Sequence, residues 1–265
     1  MKSKQKNLLF MGDSLTAGVL SGPVLDYNNM SYPKYIKDYF EKNDQLATYI
    51  NFAVSGFETK DVYNQMINNI SFNENLLFNT VGEFAYKLTL SRGNKHSVNL
   101  LEKDITIIES IVRADILCMT LGSNDFLQYI VHINKNNYKM MIKKLLNDLD
   151  FTKVKENLIQ NYKYILRGVL SLNPDIKIYV ISSYVPFKEG LIARSLKKPL
   201  KTAQESVLLE LKEEFKDNIV IIDVFDHFYE NKSKYIDELI DIHPNEKGYK
   251  YIADQIIKDI KKDNS

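Results

Sequence analysis

Five short apolar runs rich in Ile, Val and Leu punctuate the chain, at residues 8–11, 49–54, 116–121, 176–182 and 219–224. They lack the apolar–polar alternation of a strand with one wet face, so each reads as a strand covered on both sides, as in parallel sheets. Between them lie longer segments whose apolar residues recur every three or four positions: 32–41, 60–69, 103–113, 154–172, 203–215 and 246–261. In the last, Tyr249, Ile252, Ala253, Ile256, Ile257 and Ile260 make one apolar face, behind the helix-start signals Pro244 and Asn245. The alternation of buried strand and amphipathic helix predicts a doubly wound α/β sheet.

Two stretches break this rhythm. Residues 71–102 mix Phe72, Leu76, Phe78, Phe84 and Tyr86 with a polar turn at 91–95, and residues 126–152 carry Tyr129, Tyr138, Met140 and Met141. Insertions of this length serve as lids or binding walls, or pack as satellites of the core. No repeat, low-complexity tract or Gly/Ser/Pro linker divides the chain, so residues 1–265 are expected to form a single domain.

Composition narrows the classes. With 45% hydrophobic and 26% charged residues and a formal net charge of +1, the chain reads as an ordinary soluble globular protein, without the basic field that nucleic acid requires. No run approaches the roughly 18 apolar residues of a transmembrane helix. Lys2, Lys4 and Lys6 precede an apolar run of only residues 8–11, too short for a signal-peptide core, and a cytoplasmic location is expected. Cys118, the single cysteine, sits inside an apolar run and is expected to fill core space.

The polar residues that follow the strands carry the chemistry. Gly12-Asp13-Ser14 comes after the first run, Ser55-Gly56 after the second and Gly122-Ser123-Asn124-Asp125 after the third. Ligands of open parallel sheets bind outside the carboxyl ends of the strands, so these segments are expected to converge there. A serine hydroxyl is a weak nucleophile unless paired with a base and with donors for the oxyanion it creates. His243, set beside the rigid Pro244 at a helix start, is the candidate base, and Gly56 and Asn124 are the candidate donors. His96, His132 and His227 sit in less suggestive surroundings. Singly, each position has a plainer reading: a serine N-cap, a turn glycine, a Gly-x-Asn-Asp loop. The sequence around Ser14 lacks the Gly-x-Ser-x-Gly elbow, and no Gly-x-Gly-x-x-Gly or Gly-x-x-x-x-Gly-Lys stands at a strand end, which ranks a nucleotide site last.

Taken together, Gly12-Asp13-Ser14, Gly56, Gly122-Ser123-Asn124-Asp125 and His243-Pro244-Asn245 resemble, in order, the four blocks of the SGNH, or GDSL, serine esterases and lipases. The resemblance implies a flavodoxin-like three-layer α/β/α sandwich with a mainly parallel five-stranded sheet. It implies Ser14 as nucleophile, His243 as general base, an oxyanion hole from the Ser14 and Gly56 N–H groups and the Asn124 side chain, and no metal or other cofactor. The implied partner is a small-molecule acyl ester or thioester, hydrolysed through an acyl-enzyme. The last block departs from Asp-x-x-His: position 240 is Ile240, and Asp241 lies two residues before His243. Asp241 ranks first as triad acid, while Asp237, another carboxylate or a backbone carbonyl are further ways to orient the ring. The departure also admits a binding module of the same fold with weak or no activity. The aromatic and apolar residues of 71–102 favour a lipid-like acyl group, with a carbohydrate deacetylase as the alternative.

Overall fold

Alternate residues of each strand face opposite layers of helices, which explains why the strand sequences are apolar throughout. The computed structural model of the protein describes residues 5–18, 30–70, 105–132, 149–186, 188, 190–237 and 242–263. Its strands are β1 (Lys6–Gly12), β2 (Leu46–Asn51), β3 (Ile116–Thr120), β4 (Lys177–Ile181) and β5 (Ile219–Ile222). Among the helices, α1 (Ser14–Ala17), α2 (Tyr32–Lys42), α3 (Thr59–Ile67), α4 (Ile107–Arg113) and α5 (Ser123–His132) are followed by α6 (Thr152–Leu172) and α7 (Leu191–Phe215). The short α8 (Phe225–Glu230) and α9 (Lys232–Tyr235) and the long α10 (Glu246–Asp263) complete the order.

All strand pairs are parallel, in the order β2-β1-β3-β4-β5. Leu9, Met11, Leu117, Met119, Ile178 and Val180 face α3, α4, α6 and α7, while Leu8, Phe10, Ile116, Cys118, Tyr179 and Ile181 face α2 and α10. The expected three-layer α/β/α arrangement is therefore observed. Cys118 is fully buried, and burial pushes its thiol far above the ordinary range. None of the described helices is long and apolar enough to cross a membrane.

Several boundaries differ from the sequence reading. β2 closes at Asn51, whose side chain accepts from the Ala53 N–H at 3.0 Å, although Phe52 and Val54 still donate backbone bonds to Phe10 and Gly12. α4 starts at Ile107 because Thr106 and Glu109 form a reciprocal capping box. α7 begins twelve positions earlier than the 203–215 pattern suggests, carrying Pro199 inside it. Ala193, Leu196, Leu200, Ala203, Val207 and Leu211 form one buried stripe through that proline, and their burial outweighs the backbone bond that Pro199 cannot make. Of the two insertions, 71–102 lies outside the described residues. Residues 126–132 of the second continue α5, 149–152 lead into α6, and 133–148 lie outside the described residues.

β1 and β3 are adjacent, and the chain leaves them to opposite faces, which makes the gap beyond their carboxyl ends the switch point of the sheet. Gly12 ends β1 with φ +137°, and a Cβ there would stand 2.2 Å from the Thr120 carbonyl oxygen. Gly190, which precedes α7, also has positive φ (+107°), but no atom of the described residues lies within 4 Å of the Cβ it lacks. Gly190→Ala should cost about 1–2 kcal/mol through its backbone conformation alone. Gly12→Ala should cost clearly more, because the backbone it meets cannot yield. Urea denaturation of the two variants checks this, and equal losses would contradict the steric account.

Candidate active site

Three loops at the switch point and the turn before α10 build the site. Asp13 is the N-cap of α1, its Oδ1 accepting from the Leu15 N–H at 3.0 Å, so Ser14 is the first helical residue and not its cap. Ser14 is 7% exposed, and His243 Nε2 lies 3.0 Å from its Oγ. The expected nucleophile and base, 229 positions apart, are thus brought into hydrogen-bonding contact.

Gly56 occupies the third position of a tight turn in which Phe57 N–H donates to the Val54 carbonyl, and its φ of +86° is the conformation that favours glycine there. Asn124, buried at the start of α5, donates from Nδ2 to the Phe57 carbonyl at 2.8 Å. Asp125 accepts from the Thr59 N–H at 3.0 Å and the Thr59 hydroxyl at 2.7 Å. These two side chains clamp the loop after β2 to the loop after β3, which fixes the Gly56 turn relative to Asn124. Ser14, Asn124 and His243 line one pocket; Gly56 is not among its lining residues.

His243 is seated by its neighbours. Tyr184 donates to the Ile242 carbonyl at 2.6 Å, and Asn245 holds the start of α10, accepting from the Gly248 N–H and donating to the Lys234 carbonyl. Asn245 also donates to Asp237 Oδ1 at 2.6 Å, so that carboxylate helps secure the turn carrying His243. Asp241 and Ile240 lie outside the described residues. Of the other histidines, His227 stacks on Tyr251 at 3.9 Å between ring centroids and meets the Tyr235 hydroxyl at 2.9 Å. His132 ends α5, and His96 lies outside the described residues.

The pocket encloses about 600 Å³, part of it open to solvent. Most of its exposed wall is apolar: Leu15 beside Ser14, Phe126, Leu127 and Ile130 from α5, Leu196 and Leu200 from α7, and Pro186 and Ile242. Ser123 and Ser183, hydrogen-bonded at 3.0 Å, line it as well, together with Asp13, Ser14, Asn124, Tyr184 and His243. The α5 part of this wall falls within the stretch singled out as an insertion. The α7 part lies ahead of the 203–215 helical pattern, although the stripe through Leu196 and Leu200 signals it. Among the described residues, no three His, Cys, Asp or Glu side chains gather as metal ligands would.

Burial governs the carboxyls at the site. Asp13 is 1% exposed, and burial raises its pKa from 3.8 to about 7 despite bonds from Thr120 and Leu15 that favour the anion, with the Asp125 charge adding to the rise. Burial likewise lifts Asp125 to about 6, against its bonds from Thr59. Below pH 3.8 Asp13 holds its proton folded or unfolded. As pH climbs to about 7 the unfolded chain gives the proton up first, so the folded state loses stability across that window, by a few kcal/mol. The melting temperature of the parent minus that of Asp13→Asn should therefore fall as pH rises from 3.8 to about 7 and level off above. A difference independent of pH would mean that Asp13 titrates normally.

Comparison with known proteins identifies the family. The model of the GDSL-like lipase/acylhydrolase family matches residues 10–251. No curated protein matches the chain in sequence. A lipase from a goat rumen metagenome is 20% identical with a TM-score of 0.62, the match covering 97% of each chain. An extracellular lipase from Streptomyces rimosus is 15% identical with a TM-score of 0.53, over 92% of this chain and 94% of that one. A variant of an acetyl-xylooligosaccharide esterase from Geobacillus is 15% identical with a TM-score of 0.55, over 97% and 95%. These distant likenesses speak for the shared fold, and the family match runs from the end of β1 into α10, across every segment that builds the site. The chain belongs to the GDSL-like lipase/acylhydrolase family and is a carboxylic ester hydrolase.

Proposed function

We propose that the protein hydrolyses esters of apolar acyl groups through an acyl-enzyme on Ser14. The observation that carries this reading is the 3.0 Å contact between His243 Nε2 and Ser14 Oγ inside a pocket with an apolar wall. In this reading Nε2 takes the hydroxyl proton as Oγ attacks the ester carbonyl, then gives it to the departing alcohol. Negative charge on the former carbonyl oxygen is met by the N–H groups of Ser14 and Gly56 and by Asn124. One N–H of the Asn124 amide is engaged by Phe57, which aims the group; the other serves the oxyanion. Water, activated by the same imidazole, then cleaves the acyl–serine ester. Asp241 is our candidate for steadying the imidazolium, a role whose loss in serine proteases slows turnover about 10⁴-fold.

Ser14→Ala should lower turnover of an activated ester by about 10³-fold or more while leaving the circular dichroism unchanged. The parent should be labelled at Ser14 by a fluorophosphonate. An unlabelled parent would favour a binding module built on the same fold.

The acyl group follows from the wall. Leucine, isoleucine and phenylalanine side chains stabilise a bound chain by about 0.8 kcal/mol for each buried methylene, whereas an acetyl group on a sugar draws little from them. Across a series of activated esters, kcat/KM should therefore rise from acetyl toward hexanoyl and octanoyl. A maximum at acetyl would instead support a carbohydrate deacetylase, the activity named for the Geobacillus fold neighbour.

A further inference from the structure

Behind Ser14 runs a chain of four buried side chains that the reaction scheme does not use. Tyr32 OH lies 2.7 Å from Thr16 Oγ1, Thr16 Oγ1 lies 2.6 Å from Thr120 Oγ1, and Thr120 Oγ1 donates to Asp13 Oδ1 at 2.7 Å. Each hydroxyl has one hydrogen, so the carboxyl end sets the direction of all three bonds. Thr120 gives its hydrogen to Asp13 and must accept from Thr16; Thr16 gives its own to Thr120 and must accept from Tyr32. Thr16 Oγ1 also accepts the Thr120 N–H at 3.2 Å. Asp13 Oδ1 accepts twice, from Thr120 and from the Leu15 N–H, so it is an acceptor whether or not Oδ2 carries a proton. All four residues are at most 2% exposed, so the links are shielded from bulk water.

The chain joins the first residue of α2, the single turn of α1, the end of β3 and the residue before the nucleophile. Asn51 completes the hold from the β2 side by donating to the Thr16 carbonyl at 2.9 Å. Such a one-way chain orients the Asp13–Ser14 peptide, and with it both the Ser14 N–H and the direction in which Oγ leaves the backbone. We infer that Tyr32, Thr16 and Thr120 are positioning residues that hold Ser14 in its attacking geometry through Asp13. The inference rests on Ser14 being the nucleophile.

The test measures kcat, KM and the rate of fluorophosphonate labelling for Thr120→Val, Thr120→Ser and Tyr32→Phe, at a temperature where each has parental circular dichroism. Thr120→Val should lower kcat and labelling together, by about tenfold or more, with KM little changed, since small misplacements of reacting groups can slow reaction by as much as about 10²-fold. Thr120→Ser, which keeps the hydroxyl, should restore most of the rate. Tyr32→Phe, two links farther away, should give a smaller loss in the same two quantities. Parental kcat and labelling in Thr120→Val and Tyr32→Phe, with only the melting temperature lowered, would overturn the inference. If Thr120→Val does not fold, Tyr32→Phe decides alone by the same measure. A parent that is not labelled at Ser14 overturns the nucleophile assignment and this inference with it, an outcome distinct from a labelled parent with unaffected variants.

Discussion

Where β1 ends, the Gly12 backbone lies so close to the Thr120 carbonyl that no side chain fits between them, and the Asp13 N–H donates to that same carbonyl at 3.1 Å. This contact between two main chains governs the site. It carries the strand ladder one residue past its formal end and turns the chain sharply enough to aim the next side chain out of the sheet edge. It also brings Thr120 within reach of both Asp13 and Thr16. Because the contact is made by backbone, its geometry is set by the pairing of β1 with β3 and not by the packing of any flexible group. Ser14 is therefore placed by the paired strands of the sheet itself.

The strands were legible because helices cover both faces of the sheet and force continuous apolar runs. The same signal overran the end of β2, since Phe52 and Val54 remain buried after the ladder closes. α7 was half hidden by Pro199, a residue whose local preference opposes a helix that tertiary burial nevertheless extends. Ser14 was legible as a candidate. Whether it or Asp13 capped α1 was not, because both are good caps and only the folded chain shows which oxygen meets the Leu15 N–H. The expected meeting of Ser14, Gly56 and Asn124 rested on three segments following three strands, a topological argument that needs no distances, whereas His243 was singled out by Pro244 and the helix start behind it. The roles of Asn245 and Tyr184 in seating His243 had no counterpart in sequence spacing, since Tyr184 reaches Ile242 across 58 positions.

Polar groups at this sheet edge are buried as deeply as the core. Asp13, Thr16, Thr120, Ser14 and Asn124 would each weaken a simple α/β fold if left unsatisfied, and among the described residues Asp13 Oδ2 has no hydrogen-bond partner. Apolar residues of similar size would stabilise the fold more. Their replacement by directed hydrogen bonds trades stability for a fixed arrangement of donors and acceptors, the pattern expected where a scaffold carries chemistry. The apolar pocket wall contributes in the opposite sense, because Leu196 and Leu200 belong at once to the α7 stripe that holds the sheet and to the surface beside Ser14.

The hydrogen bond between Ser14 and His243 spans 229 positions, and its two ends arrive on opposite margins of the chain. Ser14 is set once β1 has paired with β3, but the imidazole comes only with the turn that opens α10, whose packing against α2 covers the face of the sheet holding Tyr32. During synthesis Ser14 therefore emerges well before the turn that carries His243. Joining positions so far apart closes a very large loop, so contact between Ser14 and His243 reports that the β1–β3 pairing and α10 have come together in one structure.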